Sequence, residues 1–436
     1  MRDLLILSIA FSGSIAALNQ PWIGILLWTW LSIMNPHRFA YGFAYDFPVA
    51  AVAAITTLIG TLVSRDKTSP FKSTVVIVLA IFMFWITLSW VFGLNMEKDY
   101  EQWKKVMKID FMILLALMVL RSKLHILALT WVTVGSMAVL GAKGGVFTLL
   151  TGGSYRVWGP PGSFIEDNNE FALALVMTVP LVRFLQLQLS SRIGKHLLTV
   201  IMILCVASAF GSQSRGALLA IGAMAALLWW RGKNKVVVGI FMLLSGLAAL
   251  AFLPDTWFSR MSTIGSYEED LSALGRISAW WVAWNVAWVY PFGVGFDAAV
   301  PELFALYSPT PTLIHAAHSI YFQVLGNHGF VGLGLFLTLW WLTWKSAGWL
   351  IKNSPKQQET EWCRDLGAMA QVSLAGYAVG GAFLSLAYFD LPYDVMVLVV
   401  LTQVWVRTRS WEYEKKPEGI WKKIPGLIPM KRSSEG

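Results

Sequence analysis

Apolar residues gather in runs along nearly the whole chain, and short polar segments separate them. "LLILSIAFSGSIAAL", "STVVIVLAIFMFWITLSWVFGL" and "EFALALVMTVPLV" alternate with "RDKTSP", "RSK" and "SSRIGK". The two-residue alternation of a barrel strand is absent from these runs. Their lengths suit helices that satisfy their own backbone hydrogen bonds while crossing a hydrocarbon layer about 30 Å thick. The pattern predicts spans over 4–34 (broken near "LNQP"), 47–63, 73–93, 105–121, 123–141, 170–188, 195–211, 215–230, 236–253, 318–344, 366–388 and 393–407. The expected fold is therefore all-α and polytopic, with about twelve transmembrane helices.

Basic residues orient the spans. "RDK" after Val63, "RSK" at 121–123, "RIGK" at 192–195, "RGKNK" at 231–235 and the Lys-bearing 345–356 loop alternate with connections poorer in Lys and Arg. Basic loops face the cytoplasm. With 4–34 counted as one broken or half-penetrating element, both termini fall on that side. The opposite face then receives 35–48, 141–170, the "GSQSRG" corner, a long segment 254–317 and "FDLPYD" (389–394). Four regions follow: N-terminal helices 1–253, an outer-face loop domain 254–317 before the third-last span, C-terminal helices 318–408, and a basic cytoplasmic tail 409–436 suited to anionic headgroups.

Composition agrees with the pattern. Of 436 residues, 56 % are hydrophobic and 14 % charged, and the mean hydropathy is +0.59, outside the usual soluble range. Many of the 23 tryptophans, such as Trp229, Trp230, Trp340 and Trp341, lie near run ends as interfacial anchors. The net charge of +9 is scattered over short loops and the tail, so it reports topology and not nucleic-acid binding. Cys205 and Cys363 offer neither a metal-ligand spacing nor a disulfide framework. The N-terminal run continues into further apolar sequence, the pattern of a retained segment and not a cleaved leader.

Cations on the outer face run against the orientation rule, which makes Arg38, Arg156, Arg215, Arg260 and Arg276 informative. Arginine is permanently charged and binds phosphate bidentately. In "SQSRGALLA", Ser212 and Ser214 precede a helix restarting at Gly216, so hydroxyls, backbone N–H groups and the Arg215 guanidinium converge where a helix N-terminus favours anions. A pyrophosphate fits this corner. The plainer reading is an arginine reaching lipid headgroups. Arg276 opens a helix-like run, "LGRISAWWVAWNV", and Arg38 sits in the aromatic "NPHRFAYGFAYDFP".

Two of six histidines lie three apart in "LIHAAHSIYFQVLGNHG". Positions 315 and 318 share a helical face that Tyr321 extends. Zinc would need a third ligand; Asp297 and Glu302 are available but the sequence fixes no spacing for them, and no metal or other cofactor is expected. The open alternatives for His318 are a helix cap and a general base. Glu166, Asp167 and Glu170 read as capping acids before a span.

These residues together are similar to the O-antigen ligase and polymerase family, most specifically between about 205 and 335. "MNPHRFAYGFAYDFP" further resembles a branch of O-glycosylation ligases associated with exosortase A systems. The resemblance implies metal-independent, inverting transfer of a glycan from undecaprenyl pyrophosphate to an acceptor hydroxyl, a sugar of lipid A core in the ligases. It places a multi-pass protein in the bacterial inner membrane with its active site facing the periplasm. Arg215, Arg276 and His318 correspond to the family's functional residues, with Arg38, Arg156, Ser212, Ser214, His315 and Tyr321 as substrate-binding candidates. The family commonly has Asn after that histidine, where this chain has Ser319. A polymerase or protein O-glycosylation ligase would use the same donor. A lipid-linked sugar transporter or a scaffold is the contrasting class, and the clustering of charges at the faces, away from mid-membrane, disfavours transport.

Overall fold

The computed structural model describes residues 2–232, isolated positions between 234 and 258, and 271–414. Arg260 and residues 415–436 of the tail lie outside the described residues. Among the described residues every regular element is helical. The helices are α1 (Arg2–Asn19), α2 (Pro21–Met34), α3 (Val49–Val63), α4 (Thr74–Val91), α5 (Met96–Val119), α6 (Lys123–Leu150) and α7 (Asn168–Gln188). They continue with α8 (Arg192–Gly211), α9 (Arg215–Arg231), α10 (Leu271–Val289), α11 (Pro301–Tyr307), α12 (Ile320–Asn353), α13 (Glu361–Gly380) and α14 (Asp390–Arg407). Among the described residues seven of these, α1, α4, α6, α7, α8, α12 and α13, are long and apolar enough to cross a membrane. The chain is thus a helical, multi-pass membrane protein, and α2 and α3 are apolar but shorter. At the centre stand α7 and α14, buried on nearly every side.

Two expectations change. The first apolar segment, expected as one broken or half-penetrating element, is a helical hairpin. Pro21 opens α2, where its missing N–H costs nothing. A methyl group on Gly13 would stand 3.0 Å from Leu27, and one on Gly24 2.7 Å from Ala17, so the two legs run antiparallel. Asp3 Oδ1 accepts from the N–H groups of Gly42 (3.1 Å) and Ala44 (3.2 Å), which puts the start of α1 and the segment after α2 at one end of the bundle.

The second concerns α6, which runs on to Leu150 and makes helix of "GAKGG" (141–145), assigned above to an outer loop. Its glycines are packing positions. A methyl group would meet Ser208 Oγ at 2.3 Å from Gly144 and the Leu204 carbonyl at 2.2 Å from Gly145. Small residues let the α6 and α8 backbones touch, as they do in membrane helix pairs.

Helix α12 is broken at Gly329, whose φ of 68° and ψ of −173° leave the helical region. The break has a cause on each side. Gly295 N–H donates to the Asn327 carbonyl (3.1 Å), Trp85 Nε1 donates to the His328 carbonyl (2.8 Å), and Gly293 lies so close to Asn327 that a methyl group there would be 2.1 Å from its oxygen. The 290–296 turn thus inserts into the helix and satisfies the carbonyls that the break releases.

Candidate functional site

His318 stands one residue before the N-cap of α12 with φ of 40°, a left-handed conformation that is uncommon for a residue with a Cβ. Its surroundings hold it there. Trp280 Nε1 on α10 donates to the Ala317 carbonyl (2.7 Å), and the Tyr321 hydroxyl donates to the Ala378 carbonyl on α13 (2.7 Å). Tyr321 therefore anchors the start of α12. The His318 imidazole is partly exposed, and its Nδ1 lies 3.8 Å from Oε1 of Glu170, a side chain that is 8 % exposed.

Glu170 belongs to the first turn of α7. Asp167 is the N-cap and accepts from both the N–H and the side-chain amide of Asn169, each at 2.8 Å. Burial works against ionisation of Asp167, yet hydrogen bonds with Glu170 and Asn169 and the charge of His318 hold its carboxyl below the ordinary range. Ser385 N–H approaches Glu170 Oε1 at 3.4 Å, and the buried Glu170 Oε2 has no hydrogen-bond partner among the described residues.

The "SQSRG" corner adjoins the same helix start. Asn168 Nδ2 donates to the Ser212 carbonyl (2.6 Å), and Gln213 adopts φ of 57° to turn the chain. Both serine hydroxyls are engaged within the chain: Ser212 Oγ donates to the Ala209 carbonyl (2.6 Å), and Ser214 Oγ caps α9 by accepting from Ala217 N–H (3.2 Å). They shape the corner. Arg215 is the first residue of α9, where the helix dipole is positive. A methyl group on Gly216 would stand 3.5 Å from Phe383 Cβ and 3.6 Å from the Gly380 carbonyl. Residues 380–385 thus bridge the corner to Glu170 and His318.

From the loop side, His315 joins its neighbour with ring centroids 5.0 Å apart from His318. A methyl group on Gly275 would be 3.0 Å from His315 Cδ2, which places the backbone next to Arg276 against this histidine pair. A small cavity of about 80 Å³, lined by His315, Gln323 and Ser385 among others, lies alongside. The structure therefore gathers Arg215, Arg276, His315, His318 and Tyr321 at one end of the bundle.

Arg38 and Arg156 sit on the connections after α2 and α6. The Arg38 guanidinium covers the Tyr45 ring at 4.9 Å and lies beside Gly162. Arg156 is exposed on the connection between α6 and α7, next to Val157, whose N–H donates to the Gly211 carbonyl (3.3 Å). Asp297 is paired with Lys98 at 3.0 Å. Among the described residues no three His, Cys, Asp or Glu side chains gather in a metal-binding group.

Glu170 is the neighbour of His318 that sequence reasoning read only as a capping acid. "DNNE" places it three residues after an N-cap, where a glutamate ordinarily reaches back to the cap's own N–H, so the motif conceals a tertiary role. Residues 200–337 match the family described as O-Antigen ligase. Residues 1–186 match a family of unknown function (DUF5935). No curated protein matches this chain.

Proposed function

The chain belongs to the O-antigen ligase family through residues 200–337, and from that premise we propose that it transfers a glycan from undecaprenyl pyrophosphate to an acceptor hydroxyl. The acceptor in this reading is a sugar of lipid A core, and the reaction takes place on the periplasmic face of the bacterial inner membrane. The observation that carries the reading is the 3.8 Å contact of His318, in the matched segment, with Glu170 of the N-terminal segment.

In the proposed step the acceptor oxygen attacks the anomeric carbon from the side opposite the pyrophosphate, and the C1–O bond to phosphate breaks with inversion. His318 takes the acceptor's proton, and Glu170 holds the ring and balances the imidazolium. Negative charge grows on the departing undecaprenyl pyrophosphate. Arg215, Arg276 and the α9 N-terminus supply cationic stabilisation for it without requiring a divalent ion. Twelve crossings and a periplasmic cover formed by 254–317 belong to the same proposal.

Purified protein given lipid-linked donor and lipid A core in the presence of EDTA tests it. Transfer by the unaltered chain, lost in folded His318→Ala and Arg215→Ala proteins, is the expected result. Elongation of the donor instead would reassign the chain as a polymerase, and labelling of a Ser or Thr hydroxyl would make it a protein ligase. Activity surviving both substitutions would remove the chemistry from this site.

A further inference from the structure

A larger cavity than the one beside His315 lies elsewhere. It measures about 390 Å³ and lies between α2, α5, the 162–164 turn and the start of α14. All of its lining residues fall outside 200–337, so it belongs to what this chain has beyond the ligase-family segment. Three kinds of side chain meet there. Lys104, Lys105 and Lys108 come from α5, Asp390 opens α14, and Trp28, Phe164 and Phe389 present aromatic rings.

The polar groups are only partly used. Lys104 is tied to Glu101, while Lys105 covers the Phe164 ring with its Nζ 3.8 Å from the centroid. Asp390 is 5 % exposed. Its Oδ2 accepts from the Ser32 hydroxyl, but its Oδ1 is buried and has no hydrogen-bond partner among the described residues. A buried carboxylate oxygen without a donor is costly. It calls for a hydroxyl, the lysines call for an anion, and the rings suit the apolar face of a sugar.

We propose that this cavity binds an acidic saccharide, one carrying a carboxylate or phosphate that reaches Lys105 and Lys108 while a hydroxyl donates to Asp390 Oδ1. Charge-assisted hydrogen bonds give such a site its selectivity over neutral sugars. Phe164 on the cavity wall and Glu170 beside His318 are six residues apart, so even fully extended chain separates them by no more than about 22 Å. A saccharide seated here is a candidate acceptor for the proposed reaction. Its role as the acceptor rests on the transferase reading, whereas its binding does not.

Binding is measured by calorimetry on the full chain in detergent, with trigalacturonic acid and glucose 1-phosphate as probes and maltotriose as the neutral control. At least one acidic probe should bind saturably and maltotriose should not. Lys105→Gln combined with Lys108→Gln, and separately Asp390→Asn, should weaken binding by about tenfold or more. Lys108→Gln alone changes an exposed side chain, keeps the fold, and should weaken binding in the same direction. His318→Ala should bind like the unaltered chain while losing transfer, which separates this proposal from the proposed reaction. Absence of binding by both acidic probes, equal binding of maltotriose, or affinity untouched by the lysine substitutions would overturn it. Displacement of the acidic probe by phosphatidylglycerol vesicles but not by the second acidic sugar would overturn it in favour of a lipid headgroup.

Discussion

Glu170 Oε1 stands 3.8 Å from His318 Nδ1, and the two residues reach each other from the first turn of α7 and the approach to α12. In the proposed reaction this pairing would place a counter-charge beside the imidazolium that forms when His318 accepts a proton.

His318→Ala should lower kcat by about 10²–10⁴-fold, the usual contribution of a positioned base. Glu170→Gln keeps shape and removes charge. Its loss should be smaller and confined to kcat, with KM for both substrates unchanged. Steady-state kinetics on the purified variants separates the two, and a Glu170→Gln enzyme changed only in KM would contradict the positioning role.

At the corner, Arg215→Lys keeps the charge but loses the planar two-pronged geometry that suits phosphate. We expect KM for the lipid-linked donor to rise and kcat to fall, by about tenfold or more together. Arg276→Lys should act in the same direction. Titration of donor at saturating acceptor checks both, and full activity in Arg215→Lys would mean that this arginine serves only as an interfacial anchor.

Gly293 has φ of 79° and sits where a Cβ would lie 2.1 Å from the Asn327 carbonyl oxygen. Gly293→Ala should force the inserted turn out of the α12 break. It should cost roughly 1–3 kcal/mol or more, from the strained backbone and the loss of close approach. A thermal denaturation series in detergent would show a lowered midpoint, while Gly222→Ala, where a Cβ meets nothing within 4 Å, should leave the midpoint nearly unchanged.

The Asp167 carboxyl is held below its ordinary range in the folded chain, so the stabilisation it supplies is complete above the unfolded value of about 3.9 and disappears as pH falls through the lower folded value. Asp167→Asn retains a good N-cap and removes the charge. The variant should be less stable than the unaltered chain at pH 7. The difference should close as both are taken toward acid, as measured by denaturation midpoints at stepped pH.

Much was legible in the chain itself. Long apolar runs have one stable form in hydrocarbon, so the helical membrane class follows from their length and low charge, and the family segment around Arg215, Arg276 and His318 is local enough to be read residue by residue. Tertiary structure decided what local pattern cannot express. The α1–α2 hairpin depends on which faces meet, and "LNQP" breaks a helix without saying where the next one goes. The glycines at 141–145 signal a loop by propensity, yet they permit the contact between α6 and α8. Ser212 and Ser214 read as ligand hydroxyls, and only the folded chain shows that they also bond the Ala209 carbonyl and the Ala217 N–H. Glu170 carries the signature of a helix cap, and only the packing of α7 against the chain at His318 turns it into a catalytic partner in the proposed reaction. Composition and periodicity record the solvent a residue meets, and the identity of its neighbour is set when distant segments are brought together.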